Sequence, residues 1–156
     1  MPIIEITIPG VPIAKERARS RGFGRPYNCQ RREEDQFKLL ANSQIKQAAP
    51  KDEPVQLWCV FYFPVPKSKS KKDCRQIFDN HGAHVYKPDG DNLVKMVKDC
   101  LNGLAWHDDS QVWHADYRKL YGAVPRTDIT IEWNERIRIE TIPGVKIKPQ
   151  KYMGEG

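Results

Sequence analysis

Residues 55–63, Val-Gln-Leu-Trp-Cys-Val-Phe-Tyr-Phe, restrict the fold more than any other stretch of the chain. Their β-branched and aromatic side chains suit a pleated backbone. The near-continuous apolar character predicts a central strand covered on both faces. Pro64 and Pro66 stop it, because proline offers no amide to a ladder. Such a strand needs neighbours. Ile3-Ile-Glu-Ile-Thr-Ile8 reads as a second strand, turned by Pro9-Gly10. Residues 111–121 and 127–133 read as two more, joined by Gly122-Ala-Val-Pro-Arg126 in a hairpin-like connection.

Two helices are expected beside them. Over residues 30–48, Phe37, Leu39, Leu40, Ala41 and Ile45 give an apolar face, and Ala49-Pro50-Lys51-Asp52 ends the helix. Asp91 can cap a helix that starts at Asn92, its carboxylate accepting the free amides of the first turn. Leu93, Val94, Val97, Leu101 and Leu104 recur at helical spacing, and Gly103 supplies a stop. Asp91, Lys95, Asp99 and Asn102 fall on the opposite stripe. Residues 73–84 show no clear period, and Ala83 to Tyr86 is expected as a short strand. The pattern is α+β: a single small domain with a mixed β-sheet flanked by two main helices.

The chain of 156 residues is long enough for one ordinary core. No apolar run approaches the roughly 20 residues of a membrane span. The start, Met-Pro-Ile-Ile-Glu-Ile, lacks the basic-then-apolar layout of a signal peptide. A cytoplasmic protein without a membrane partner is expected. Of the cysteines, Cys59 and Cys100 sit among apolar residues and are expected as core thiols. No CxxC pair occurs, and Cys74, His81 and His84 lack an evident fourth zinc ligand.

Lys and Arg outnumber Asp and Glu by 26 to 20, a modest basic excess that favours a phosphate-rich partner. Lys15, Arg17, Arg19, Arg21 and Arg25 lie among small residues in a loop able to approach a phosphate backbone; a mobile basic loop without a role accounts for them as well. Lys67-Ser-Lys-Ser-Lys-Lys72, which includes Lys69 and Lys71, reads as a flexible basic run.

The chemistry is concentrated in Tyr86-Lys-Pro-Asp-Gly-Asp-Asn-Leu-Val-Lys95 and Trp106-His-Asp-Asp-Ser-Gln-Val112. On an extended backbone Asp89 and Asp91 project to one side with Cα atoms about 6.6 Å apart. Two carboxylates so placed repel unless a cation lies between them. Oxygen donors of this kind suit Mg2+, with Mn2+ as a substitute. The adjacent Asp108 and Asp109 point opposite ways in a strand, so one of them can face the same metal. Lys95, one turn after Asp91, can pair with it at rest and offset phosphate charge during reaction. From these residues alone, a calcium-type loop or a plain helix cap explains Asp-Gly-Asp-Asn equally well. His107 and His114 are expected at surface or sheet positions. Phe23, Tyr27 and Trp113 are expected in ordinary packing, with base stacking as the alternative.

Lys87-Pro-Asp-Gly-Asp-Asn-Leu-Val-Lys95, Asp99-Cys-Leu-Asn-Gly103, and Trp106 with Asp108-Asp-Ser-Gln-Val112 together resemble the KPDxDNLxK, DxLNG and DDxQV signatures of RusA-type Holliday junction resolvases. Residues 4–25 are similar to that family's opening strand, Pro-Gly turn and basic loop, and residues 118–132 to its ending. Residues 26–84 resemble it only in outline. The resemblance implies a nuclease domain over 1–134 with a basic extension over 135–156. It implies a homodimeric, Mg2+-dependent endonuclease that resolves four-way DNA junctions by paired symmetric nicks, and a phage or prophage origin. It assigns Asp89, Asp91 and Asp109 as metal-binding catalytic carboxylates and Lys95 as the catalytic lysine; Asp108 is left as an alternative or supporting ligand. Lys15, Arg17, Arg19, Arg21, Lys69, Lys71, Lys72 and Lys87 are the expected DNA contacts. Gly90 departs from the family, which usually has an apolar residue there. Two other readings stay open: a non-catalytic module for branched or single-stranded DNA, and a nuclease of wider branched-DNA taste that includes flaps and forks.

Overall fold

A computed structural model describes residues 2–17, 22–24, 28–79 and 81–133. The expectations for Arg19, Arg21, Tyr27 and the extension from 135 onward lie outside the described residues. A mixed four-stranded sheet in the order β1-β4-β2-β3 forms the centre, with β1 at Ile3–Pro9, β2 at Val55–Pro64, β3 at Val112–Gly122 and β4 at Arg126–Trp133. Helices α1 (Arg31–Gln44), α2 (Lys71–Asp79) and α3 (Gly90–Leu101) complete it. The fold is α+β, a single small domain.

β2 is central, parallel to β3 and antiparallel to β4. Only one of its faces is buried, however. Val55, Leu57, Cys59, Phe61 and Phe63 pack with Ile4, Ile6, Ile129, Ile131, Leu93, Val97 and Trp106 in the core. Gln56, Trp58, Val60 and Tyr62 stay half-buried on the opposite face. The expectation of cover on both faces fails because α1 and α3 share one side of the sheet. Burial drives the Cys59 thiol up to about 12 and, with Glu34's charge adding, that of Cys100 to about 11, so both are inert core thiols.

The hairpin-like connection is also corrected. β3 and β4 are not partners: β2 lies between them, and Gly122–Arg126 steps over the end of β2 where Pro64 closes that strand. Hydrophobic pattern alone cannot report which strands are neighbours.

In α1, Ala41 is buried with Phe37 and Leu40 packed beside it, but Leu39 is 72% exposed. It sits between the i, i+3 and i+4 positions that face the sheet. Residues 71–79, left without a period by the sequence, form α2. Ser70 Oγ accepts the Asp73 amide at 3.1 Å, while the Asp73 carboxylate accepts the Ser70 hydroxyl at 2.8 Å and its amide at 3.3 Å. This is a reciprocal capping arrangement, and Ser-Lys-Lys-Asp was its sequence signal. Lys71 and Lys72 therefore open a helix instead of belonging to a flexible run. The expected strand at 83–86 is a single bridge, Ala83 to Leu120.

Candidate active site

α3 begins at Gly90, two residues earlier than expected, and Asp89 occupies the N-cap with extended backbone (ψ 142°). Its side chain makes no capping bond, so its carboxylate stays uncommitted. Asp91 lies in the first helical turn. The extended-chain argument for a shared side therefore does not apply to this pair. Both carboxylates instead crowd the positive end of the helix, which favours their charge. Leu93, Met96, Val97, Cys100 and Leu101 anchor the other side of α3 in the core, and Gly103 at φ 79° ends it past the Asn102 cap.

An open cleft of about 470 Å3 lies between α3 and the β3 edge. Asp91, Lys95, Lys98 and Asp99 line it from α3, Ala115 and Tyr117 from β3, and Asp109 from the connecting turn. Asp109 thus lines the same cleft as Asp91 although 18 positions separate them in the chain. The buried Trp106 explains how its carboxylate is aimed: the indole Nε1–H donates to Asp109 Oδ1 at 2.8 Å.

Asp108 is used differently. Its carboxylate accepts the Ser110 amide at 3.3 Å and caps a short 3-10 turn, Asp109–Gln111. Gln111 accepts the amides of His107 and Asp108 and donates to the carbonyls of Pro50 at 2.8 Å and Glu53 at 2.9 Å. The turn presenting Asp109 is held on both sides.

The segment leading to Asp89 is fastened to β3. His84 N–H donates to the Lys119 carbonyl at 2.9 Å, and Lys119 Nζ donates to the Tyr86 carbonyl at 2.5 Å. The His84 ring stacks on Phe63 at 4.1 Å and meets Tyr121 edge-on at 5.0 Å. Burial, helped by the Lys119 charge, holds this imidazole below its ordinary range, so it serves as a neutral wedge at neutral pH. Together these contacts set where Lys87 and Asp89 stand, both exposed at the entrance to α3.

Lys15 differs from the other expected DNA contacts. Its amide donates to the Asn92 carbonyl at 2.9 Å, and its ammonium pairs with Glu34 and, at 3.5 Å, with Asp99. Glu34 also accepts from Asn28 Nδ2 at 2.9 Å. Burial lowers the Lys15 pKa, but the Glu34 and Asp99 contacts outweigh it and leave the ammonium above its usual value. Burial likewise raises Glu34, and the bonds from Lys15 and Asn28 bring it below the ordinary range. Lys15 ties α1 to α3 beneath the cleft. Arg17, Lys69, Lys71 and Lys72 are exposed, and none of them lines the cleft.

Phe23 and Trp113 are both exposed, against the expectation of core packing. His107 and His114 are exposed as expected. Among the described residues no three His, Cys, Asp or Glu side chains gather where they could hold an ion unaided; this holds for Cys74, His81 and His84 and equally for Asp89, Asp91 and Asp109, since Asp89 does not line the cleft. Two carboxylates facing one cleft are nevertheless a fitting set for Mg2+, which keeps several waters and takes further oxygens from a substrate phosphate. The sequence reading missed Lys98 and Tyr117 as cleft residues and Trp106 as the anchor of Asp109. Trp106 had a signal, its place just before the Asp pair; Tyr117 needed the sheet register.

Residues 9–132 match the family model described as endodeoxyribonuclease RusA. The chain belongs to the RusA endodeoxyribonuclease family. It is also similar to a protein of Bacillus subtilis (strain 168), the uncharacterized protein YqaN, at 34% identity over 139 residues, covering 84% of this chain and 96% of that one. As a RusA-family member it is an endodeoxyribonuclease, a hydrolase of a family that resolves Holliday junctions and generally depends on divalent metal. The acidic cleft falls inside the matched residues. No described helix is long and apolar enough to cross a membrane.

Proposed function

We propose that this chain is a Mg2+-dependent Holliday junction endonuclease that hydrolyses one phosphodiester per cleft and works as a homodimer. The observation that carries the reading is the meeting of Asp91, Asp109 and Lys95 in one cleft, within a family of endodeoxyribonucleases. Asp91 and Asp109 would hold the ion, with Asp89 at the helix entrance as the third carboxylate and Asp108 in support through the turn it caps. Bound there, Mg2+ supplies Lewis-acid polarisation of the phosphoryl group and activates water for attack. Trp106 fixes one oxygen of Asp109, so that carboxylate is pre-oriented. Lys95 offsets the negative charge that develops on the phosphate. Lys87, Arg17 and the basic residues 67–72 hold flanking phosphates, and recognition rests on backbone placement and branch shape.

A four-way junction has approximate two-fold symmetry, and a two-fold protein presents identical clefts to opposing strands. Among the described residues no helix covers the sheet face of Trp58, Val60 and Tyr62, where Arg126 lies over the Tyr62 ring at 4.0 Å. This half-apolar face is the surface we assign to the second copy.

The test is a synthetic four-way junction incubated with Mg2+ and wild-type protein or Asp91→Asn. Paired nicks at symmetric positions, lost in the variant, support the reading. Tight salt-sensitive binding without nicking by the wild type would make the protein a binding module instead. Equal cutting of flaps, forks and junctions would widen its substrate class.

A further inference from the structure

Gly90 sits between the two acidic residues at the start of α3 and is buried. Glycine in a helix lowers stability relative to alanine, so a reason for it is needed. Backbone conformation is not the reason, because Gly90 is absent from the residues with positive φ. Space is the reason. A Cβ at Gly90 would lie 2.0 Å from Cε2, 2.3 Å from Cζ and 2.6 Å from Oη of Tyr117. With the phenol in this position a side chain at residue 90 would overlap the ring, and Tyr117 would have to swing aside.

That ring is not ordinary core. Tyr117 pairs with Cys59 across the parallel ladder and faces the helices, yet it remains 44% exposed. It lines the same cleft as Asp91, Lys95 and Asp109. One edge of the ring is held against the α3 backbone at Gly90, while part of it stays open beside the carboxylates.

We infer that Tyr117 is a specificity-determining residue whose ring, admitted by Gly90, stacks on an unpaired nucleobase next to the scissile phosphate. This rests on the reading that the cleft cuts branched DNA. A phosphate held by Lys95 near Asp91 and Asp109 brings its flanking nucleotides within reach of the adjoining wall. Aromatic stacking accepts any base, since every base has a π-face. It requires a base free of its own stack. Extruding one is costly in intact duplex and cheaper where pairing is already broken, so the ring favours crossovers over linear DNA.

The experiment places 2-aminopurine at each nucleotide flanking the cut position of a junction, with Ca2+ replacing Mg2+ to hold the complex uncut. Wild type, Tyr117→Phe and Tyr117→Ala are compared for fluorescence quenching, then for junction-over-duplex cleavage in Mg2+. The wild type and Tyr117→Phe are expected to quench one flanking position. Tyr117→Ala is expected to lose the quench and about tenfold or more of the cleavage preference, measured well below its melting temperature. Junction cutting with undiminished quenching in Tyr117→Ala overturns the inference alone, as does a Tyr117→Phe variant that behaves like Tyr117→Ala. A wild type that cuts no branched DNA in Mg2+ or Mn2+ overturns the functional reading and this inference with it.

Discussion

A carboxylate is only as well aimed as the groups that hold it, and Asp109 depends on the indole of Trp106. Trp106→Phe keeps an aromatic ring in the core but removes the donor. The smaller ring should cost about 1–3 kcal/mol of stability. The loss of orientation should raise the Mg2+ needed for half-maximal cleavage by about 10–100-fold, with junction affinity in Ca2+ unchanged. A Mg2+ titration well below the melting temperature checks it, and an unshifted midpoint would reduce the bond to packing. At this scale the sequence was half legible. Asp91 and Lys95 could be named from one local motif, whereas Asp109 was preferred to Asp108 only through the resemblance to the family. The pairing of Lys15, an expected DNA contact, with Glu34 and Asp99 was not legible: these partners come from two helices, and no spacing rule pairs residues across a fold. Nothing in the sequence around Gly90 signalled the Tyr117 ring that lies against it.

The elements meet at the Lys15–Glu34–Asp99 cluster, which joins the root of the basic loop and α1 to α3. Glu34 has its folded-state pKa lowered, so its contribution is present above the unfolded carboxylate value. It is lost as pH falls through the lower folded value. Glu34→Gln should therefore destabilise the protein by about 1–3 kcal/mol at pH 7, and the gap to wild type should narrow as pH falls through the lowered folded value. Denaturant melts stepped from pH 7 into the acid range decide this, and a gap independent of pH would show that shape, not charge, matters at residue 34. Elements themselves were legible where period and length agreed, as in β1, β2 and α3. α2 was passed over because none of its residues is buried, leaving only its cap to be read. The β3–β4 hairpin failed because adjacency in a sheet is set by the parallel return of β3 against β2.

At the scale of the whole molecule, the number of copies sets how many clefts can act on one junction. Trp58 lies on the helix-free face of the sheet. If the proposed homodimer uses this face, Trp58→Glu should leave only monomer in light scattering at micromolar concentration, and should leave single nicks where the dimer would make paired ones. A dimer that persists would move the interface elsewhere. Nothing in the pattern of residues 55–63 told the two faces apart, since Trp58, Val60 and Tyr62 are as apolar as the residues that pack under the helices. The central claim is that Asp91 and Asp109 serve one ion. Mn2+ binding to the protein–junction complex, followed by electron paramagnetic resonance, measures it directly for wild type, Asp91→Asn, Asp109→Asn and the double variant. Shared ligation predicts at least about tenfold weaker binding for each single variant and a double variant little worse than either, the signature of groups acting as a unit. Unchanged affinity in either single variant, or losses that simply add, would contradict it.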